Sequence, residues 1–546
     1  MSKVDDLLQR NKDLKATKAG WLPHWQEVGE IYLPRQANFT MESLPGSRHV
    51  DEIFDSTPMQ ARRALSTSVD ALLKPKTAQW FEITLTDESL MEIHEVKQWL
   101  EETGRRLFRA MYNPHARFIQ RSGEVDDELV TFGTGGLFIG ESETLSRFLF
   151  KSIPLRSFAI AESSAGIIDT VFIEEKLTAR QAQQRYGDKI GLKTKEALGV
   201  AGKQEEKFPF LQAIYPRSNR NPIKLDNLNF PWAEDIIDIK SEHRVLESGF
   251  QEFPCSFPRW DTTAGEVYGR SPAMLALGDS LTLQVMGETI LRAGQLAVDP
   301  VLLTADDAVF GDVVSFPGGI VSYDAEVAKD LGRLPVESLN TGSNIRLGRE
   351  MQNDMRDQVW NAFFRSVLQL PEGTPQMTAT EVLERKEQFI RGIGPVFGRL
   401  ETDYLAMTVE RCFNIMQRNG GFDDPPEILL DRAPTFRMQS PVERARKQVE
   451  LAGLARSLDL LTPLIEQDPT LLDNFDTDEI TRDVPDISGM PARWIRTKDA
   501  VAEKREARAE QQQQSQQLES ADALSGVVKN LGGIQALEGG GLPGRE

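Results

Sequence analysis

Tyr268-Gly269-Arg270-Ser271-Pro272-Ala273 is the stretch from which the rest of the chain can be laid out. Serine followed by proline marks a helix start. The hydroxyl accepts a free amide hydrogen of the first turn, and proline at the first helical position has no N–H to leave unpaired. Gly269 gives the chain freedom to turn just before that start. The helix should run to about Leu296 and end before Pro300. A second long helix starts near Asn344, where Ile345, Met351, Met355, Val359, Phe363 and Val367 step mostly by four, and it ends at Leu370-Pro371. At about 25 residues, each helix would be about 37 Å long. Between them, 312–316 and 320–323 flank Pro317-Gly318-Gly319 and read as a β-hairpin. The unit is helix, small β tip, helix.

Upstream, residues 1–265 read as a mixed α+β body. Apolar positions at helical spacing over 4–32 stop at Leu33-Pro34. Ser56-Thr57-Pro58 repeats the cap-plus-proline signal and opens a helix to about Leu73, before Pro75. Residues 80–85 read as a strand, and 90–112 and 115–132 as helices separated by Asn113-Pro114. Strands at 158–162 and 167–174 flank the turn Ser163-Ser164-Ala165-Gly166. Thr178 should cap a short helix to Tyr186 with Gly187 beyond its end, and further strands fall at 210–215, 235–239 and 243–253.

Downstream, Pro371-Glu372-Gly373-Thr374-Pro375-Gln376 is too rich in breakers for regular structure. Thr378-Ala379-Thr380-Glu381 is a capping box that opens a long helix, 378–419. Gly392, Gly394 and Pro395 should kink it, and Asn419-Gly420-Gly421 should end it. From 441 the chain is again helical, with Glu443 and Lys447 one turn apart; 492–510 reads as a solvated helix, and 511–546 as a disordered tail.

Composition narrows the function. The 546 residues carry 63 Lys plus Arg against 83 Asp plus Glu, a net charge of −20. Such a surface repels phosphates, which speaks against a basic, sequence-reading nucleic-acid binder. Cys255 and Cys412 are too few and too far apart for a disulfide framework, and a reducing compartment fits. The charged N-terminus reads as no signal peptide, and no apolar run is long enough for a membrane span.

Enzyme motifs fail one by one. There is no GxxxxGK[ST] phosphate loop, and Phe132-Gly133-Thr134-Gly135-Gly136 reads as a helix-to-strand turn. Gly269-Arg270-Ser271-Pro272 lacks the second glycine of a nucleophile elbow, and His94-Glu95 is not followed by a second histidine at HExxH spacing. The pairs Asp126-Asp127 and Asp423-Asp424 could bind a metal in principle but lack a partner ligand, so a solvated surface is expected for them. No catalytic residue, cofactor or metal ligand is assigned, and the chain reads as non-enzymatic.

Three segments matter together. They are Tyr268–Ala273 running into Leu277-Gly278-Asp279; Met377-Thr378-Ala379-Thr380-Glu381-Val382 with Gly394-Pro395-Val396 and Arg399-Leu400; and Phe132-Gly133-Thr134-Gly135 running into Phe138-Ile139-Gly140. With Ser56-Thr57-Pro58 ahead of Trp80-Phe81, their order and spacing resemble the head-to-tail connector, or portal, proteins of short-tailed podophages, over about residues 1–510. The resemblance implies a portal-type α+β subunit in a ring of about twelve at one capsid vertex, the channel for packaging and ejecting double-stranded DNA.

It also implies an architecture: a wing at 1–270 completed by 378–440, stem helices at 271–300 and 344–369, a clip at 301–343, a tunnel loop at 370–377, a long kinked helix at 378–440 returning to the wing, and a helical crown at 441–510. Tyr268, Gly269, Arg270, Ser271 and Pro272 would form the wing–stem junction. Implied partners are DNA held without sequence specificity, the terminase large subunit, scaffold and major capsid proteins and a tail adaptor, with no cofactor and no membrane. The implied location is the virion vertex, and the host cytoplasm during assembly. Candidate channel residues are Arg346, Arg349 and Arg356 on the second stem helix and Glu372, Thr374 and Gln376 in the loop. A mostly acidic lumen with a few basic rings would let DNA slide. For each arginine alone a salt bridge is the plainer reading, as Arg346 and Glu350 stand one turn apart. The competing functions are another virion structural or scaffold protein and a metal-dependent phage nuclease.

The tail has few large apolar groups to offset the entropy of ordering it. Truncation after Glu510 is therefore expected to leave ring assembly intact by negative-stain microscopy, and loss of rings would make the tail structural.

Overall fold

In the computed structural model the described residues are 2–41, 46, 53–91, 93–141, 148–224, 226–300, 302–304, 326, 329, 336–338, 344–365, 394, 396–430, 432–439 and parts of 451–513. They form an α+β structure in two compact units. The larger comprises Met1–Glu82, Gly104–Asp423 and Phe436–Ala445; the smaller comprises Ile83–Thr103, Asp424–Thr435 and Arg446–Glu546.

The larger unit is built on a five-stranded antiparallel sheet. Its strands, Phe158–Glu162, Ile168–Thr178, Lys207–Pro216, Trp232–Asp238 and His243–Phe250, each pair with the next in sequence. Adjacent side chains point to opposite faces, so neighbouring residues serve different cores. Phe208, Phe210 and Ile236 pack with Ala182, Ile190 and Ala197 of the short helical segment that follows the second strand. Leu211, Ala213 and Ile237 take the other face, against Leu7 of the N-terminal helix Lys3–Ala19. Burying one such leucine contributes about 1.5–3 kcal/mol. A charged lattice fastens that helix at its start: Lys3 Nζ lies 3.1 Å from the fully buried Asp235 and 2.9 Å from Glu247, and Tyr215 donates to Asp235 at 2.6 Å.

The hairpin, the Thr178 capping box and the Gly187 helix end are as the residue types dictate; Gly187 adopts φ 58°. Ser56 departs from expectation. Its side chain makes no cap for the helix Thr57–Leu73; Asp55 Oδ1 accepts the Thr57 N–H at 2.8 Å instead. Asp126-Asp127 departs too. Asp126 is interior, and Asp127, its side chain 39% exposed, lies at the edge of the surface; cations from the neighbouring helix hold both. Asp126 is fully buried with Lys74 Nζ 2.5 Å from its Oδ2, and Asp127 Oδ1 receives Arg62 and Ser66. Asp423 is held by Arg106 through two hydrogen bonds of 2.9 and 2.6 Å.

The helix ending near Asn419 is described only from 396 onward, apart from Gly394; its capping box and the kink expected at Gly392 and Pro395 lie outside the described residues. Within it, Glu401–Ala406 winds as a π-helix, and α-helix follows over Met407–Arg418. The wider winding shifts carbonyls out of the regular ladder. Ser256 Oγ donates to Asp403 O at 2.8 Å and Thr408 Oγ1 to Tyr404 O at 2.6 Å. Tyr404 is fully buried, with its hydroxyl 3.1 Å from Lys74 Nζ and donating to Ser122 O. The expected hairpin at 312–316 and 320–323 lies outside the described residues. Flanking it, Leu302–Thr304 pairs antiparallel with Val336–Ser338.

In the smaller unit the helix Thr477–Ser488 is started by Asp476, whose Oδ1 accepts the amides of Asp478 and Glu479. Arg505 makes a two-pronged pair with Asp478 at 2.7 and 2.5 Å. Positions 500–513 are helical and almost wholly exposed, as a solvated helix should be. The segments 440–450 and 514–546 lie outside the described residues.

Two buried ionisable groups clasp the turn Leu155–Ser157. Lys18 Nζ donates to the carbonyls of Leu155 and Phe158, and Glu128 accepts the Leu155 N–H at 2.9 Å. Burial pushes the Lys18 ammonium down to about 7 and the Glu128 carboxyl up to about 8. A carboxyl raised from 4.5 to about 8 binds a proton in the native state where the unfolded chain has lost it, so stability falls as pH rises through that window. Glu128→Gln keeps an acceptor for the amide and removes the titration. Between pH 5 and 7 the variant should gain on the wild type by about 1 kcal/mol or more, read by denaturant unfolding, and a gap independent of pH would contradict this account.

Candidate functional site

The helix Phe118–Phe132 ends at Gly133, whose φ of 79° only glycine adopts without strain. Directly against it lies Gly269. A Cβ on either residue would come within 2.3 Å of the other's carbonyl oxygen. Thus two glycine segments 136 residues apart in sequence meet backbone to backbone. Hydrogen bonds complete the join: Gly269 N–H to Thr134 Oγ1 at 2.8 Å, Trp260 N–H to Gly133 O at 2.9 Å, and Ser271 Oγ to Thr131 O at 2.7 Å. Asp261 and Arg270 exchange both backbone bonds alongside.

Each junction residue has a distinct part. Tyr268 is buried, stands edge-on to Trp25 at 5.2 Å, and accepts the Ile160 N–H; burial pushes its phenol well up. Arg270 is held by Glu266 and lies over the Trp21 ring at 5.2 Å. Ser271 accepts the Met274 N–H at 3.1 Å, and Pro272 opens the helix as the sequence requires. That first helix is only Pro272–Leu275. A break at Ala276 precedes the long helix Leu277–Val298, about 33 Å in length. Tyr32 fixes its first turns by a 2.6 Å hydroxyl contact with Ser280.

The second long helix, Ile345–Ala362, is capped by Asn344 and runs about 27 Å. It stops sooner than the apolar stripe suggests, because the chain turns at Phe363 and Phe364 takes φ 61°. Val359 and Phe363 are buried while Met351 is exposed, so the stripe is only partly used within the chain. The two helices pack closely at Gly348, where a Cβ would stand 3.3 Å from Ile290.

The three candidate arginines differ in surroundings. Arg346 is 90% exposed with Glu350 at 3.4 Å, and Arg349 is exposed on the same helix. Arg356 is turned inward, with Nε and Nη2 each 2.8 Å from Asp55 Oδ2. Glu372, Thr374 and Gln376 lie outside the described residues. Sequence reasoning missed Asp55, Gln284 and Gln352, which meet Arg356 between the long helices. The one available signal was polar glutamine on otherwise apolar helix faces. Among the described residues no three His, Cys, Asp or Glu side chains group to hold a metal ion, and no helix is long and apolar enough to cross a membrane.

Gly269→Ala or Gly133→Ala should destabilise the protein by about 3 kcal/mol or more, through backbone overlap and, at Gly133, strain. Ser271→Ala should cost about 1 kcal/mol. Thermal unfolding of the three variants checks this ranking.

A family model for the bacteriophage head to tail connecting protein matches residues 4–495. The probable portal protein of Bordetella phage BPP-1 is 28% identical over 535 residues, covering 97% of this chain and 95% of that relative. The portal protein of Salmonella phage epsilon15 is 27% identical over 536 residues, with the same coverage of 97% and 95%. Among solved structures, a chain from the virion of a native gene transfer agent particle aligns with 76% of this chain and 91% of its own, at 10% identity and a TM-score of 0.35. With the family model spanning all but the ends of the sequence, the chain belongs to the bacteriophage head-to-tail connecting protein family.

Proposed function

We propose that the protein acts as a closed ring, most simply of twelve copies, at one vertex of the phage capsid. Double-stranded DNA enters through the ring during packaging and leaves through it at ejection, and the ring docks the terminase large subunit, the scaffold and major capsid proteins, and a tail adaptor. The role is structural and conductive, without bond-making chemistry of its own. The subunit would be part of the virion and, during assembly, of the host cytoplasm.

The observation that carries this reading is the pair of long helices. Val285, Leu291, Leu296, Leu347 and Met351 are all more than 40% exposed along them. A helix with that much apolar surface left over needs a neighbour, and side-by-side packing of identical stems supplies one. In this reading 271–300 and 344–369 are the stem, 301–343 the clip, 1–270 with 378–440 the wing, and 441–510 the crown. Twelve copies at −20 each would carry −240, which keeps the duplex from being gripped. In this reading Arg346 and Arg349 would be the basic positions that touch it weakly, and Glu372, Thr374 and Gln376 would face it from the tunnel loop. The five-stranded sheet argues against a scaffold, which would be helical and elongated.

Native mass spectrometry should find a closed ring, and monomer or dimer alone under all conditions would overturn the proposal. Deleting Glu372–Pro375 should spare the ring but impair packaging or retention of DNA. Particles that fill and hold DNA like the wild type would leave the loop a simple connection.

A further inference from the structure

A short non-helical segment, Ile53 to Ser56, leads into the helix Thr57–Leu73 and lies in the groove between the two long helices. The first long helix grips its backbone. Gln284 Oε1 accepts the Phe54 and Asp55 amides at 2.8 and 2.9 Å, and Gln284 Nε2 donates to Asp55 O at 2.8 Å. The second grips its side chain. Gln352 Nε2 donates to Asp55 Oδ2 at 3.2 Å, and Arg356 donates to the same oxygen at 2.8 Å. The other carboxylate oxygen caps Thr57. Asp55 thus ties three helices by five hydrogen bonds, and its side chain is only 4% exposed.

Shape agrees with bonding. Gly287 faces the segment on the first helix, and a Cβ there would stand 3.1 Å from Phe54 Cβ. Burial alone would push the Asp55 carboxyl up, but the hydrogen bonds from Thr57 and Arg356 outweigh it and hold the group below its ordinary value. The carboxylate is charged at neutral pH, and its charge is matched by Arg356. Such a pair adds little net stability while both members are present, but removing one leaves the other's charge uncompensated and is strongly destabilising.

We infer that this segment is a strap that sets the spacing of the two long helices, and that Asp55 is a positioning residue for the DNA-conducting geometry. Arg356 then serves the strap and not the DNA. The inference rests on the channel reading only for its second half; the strap itself concerns the single chain. Because the strap leads straight into the helix Thr57–Leu73, displacement of that helix is felt by both long helices at once.

Hydrogen exchange on the purified full-length protein tests the strap. Asp55→Asn keeps the size and an acceptor for Thr57 but leaves the Arg356 guanidinium without a counter-charge. Protection over 277–298 and 345–362 should drop about tenfold. Arg356→Gln should give a like loss, and the double variant, a neutral amide pair, should be no worse than either single. Gly287→Ala should loosen both helices without touching a charge. Protection within twofold of wild type in Arg356→Gln and Gly287→Ala overturns the strap, even if Asp55→Asn yields no soluble protein; so do losses that simply add. For the second half, Asp55→Asn rings should form at wild-type yield yet give particles that retain less DNA. Loosened helices with wild-type DNA content would overturn the positioning role. If the wild type forms no ring, the channel reading falls while the exchange result still decides the strap.

Discussion

The peptides of Gly133 and Gly269 lie against each other with no space for a side-chain carbon, and the rest of the larger unit is organised around that approach. Hydrogen bonds through Thr131, Thr134, Trp260 and Ser271 close the join on every side. The end of one helix and the start of another are thereby made a single rigid point. Beside it Tyr268 reaches Ile160 of the first sheet strand and the Trp25 ring, and Ser271 opens the helical run that continues into the first long helix, so a small shift there would be carried into each.

Away from the junction, charge is used as fastening. Lys74 with Asp126, Arg62 with Asp127 and Arg356 with Asp55 each join segments far apart in sequence through pairs that are at least half buried. Such pairs add little net stability compared with apolar contacts of equal size, but they tolerate few alternative partners. They specify which helix lies beside which.

Local chemistry made much of the fold legible. Ser271 and Thr178 cap because their hydroxyls stand next to free amides, and Gly187 ends a helix because nothing else takes its φ so cheaply. At the Thr57 helix the same local rule allows two acceptors for the first amide, and Asp55, held by Gln284 and Arg356, is oriented for it while Ser56 is not. The family was legible from motif order, yet its geometry was not. No spacing rule reveals that the glycines of 133 and 269 touch, or that Asp126 is interior, since both depend on long-range packing. The second helix was read too long for a similar reason: periodicity continues past Phe363, but the backbone turns there.

The π-helical turn at Glu401–Ala406 has a bearing on how this chain can change over generations. One surplus residue is accommodated there, between Ser256, which donates to the displaced Asp403 carbonyl, and Lys74, which meets the Tyr404 hydroxyl. An α-helix advances about 100° per residue. Loss of a single codon in the turn would therefore restore regular winding and swing every residue on its N-terminal side by more than a quarter turn. Insertions and deletions that are harmless in a loop are here a change of phase, so the length of this helix is under tighter constraint than the identity of its exposed side chains.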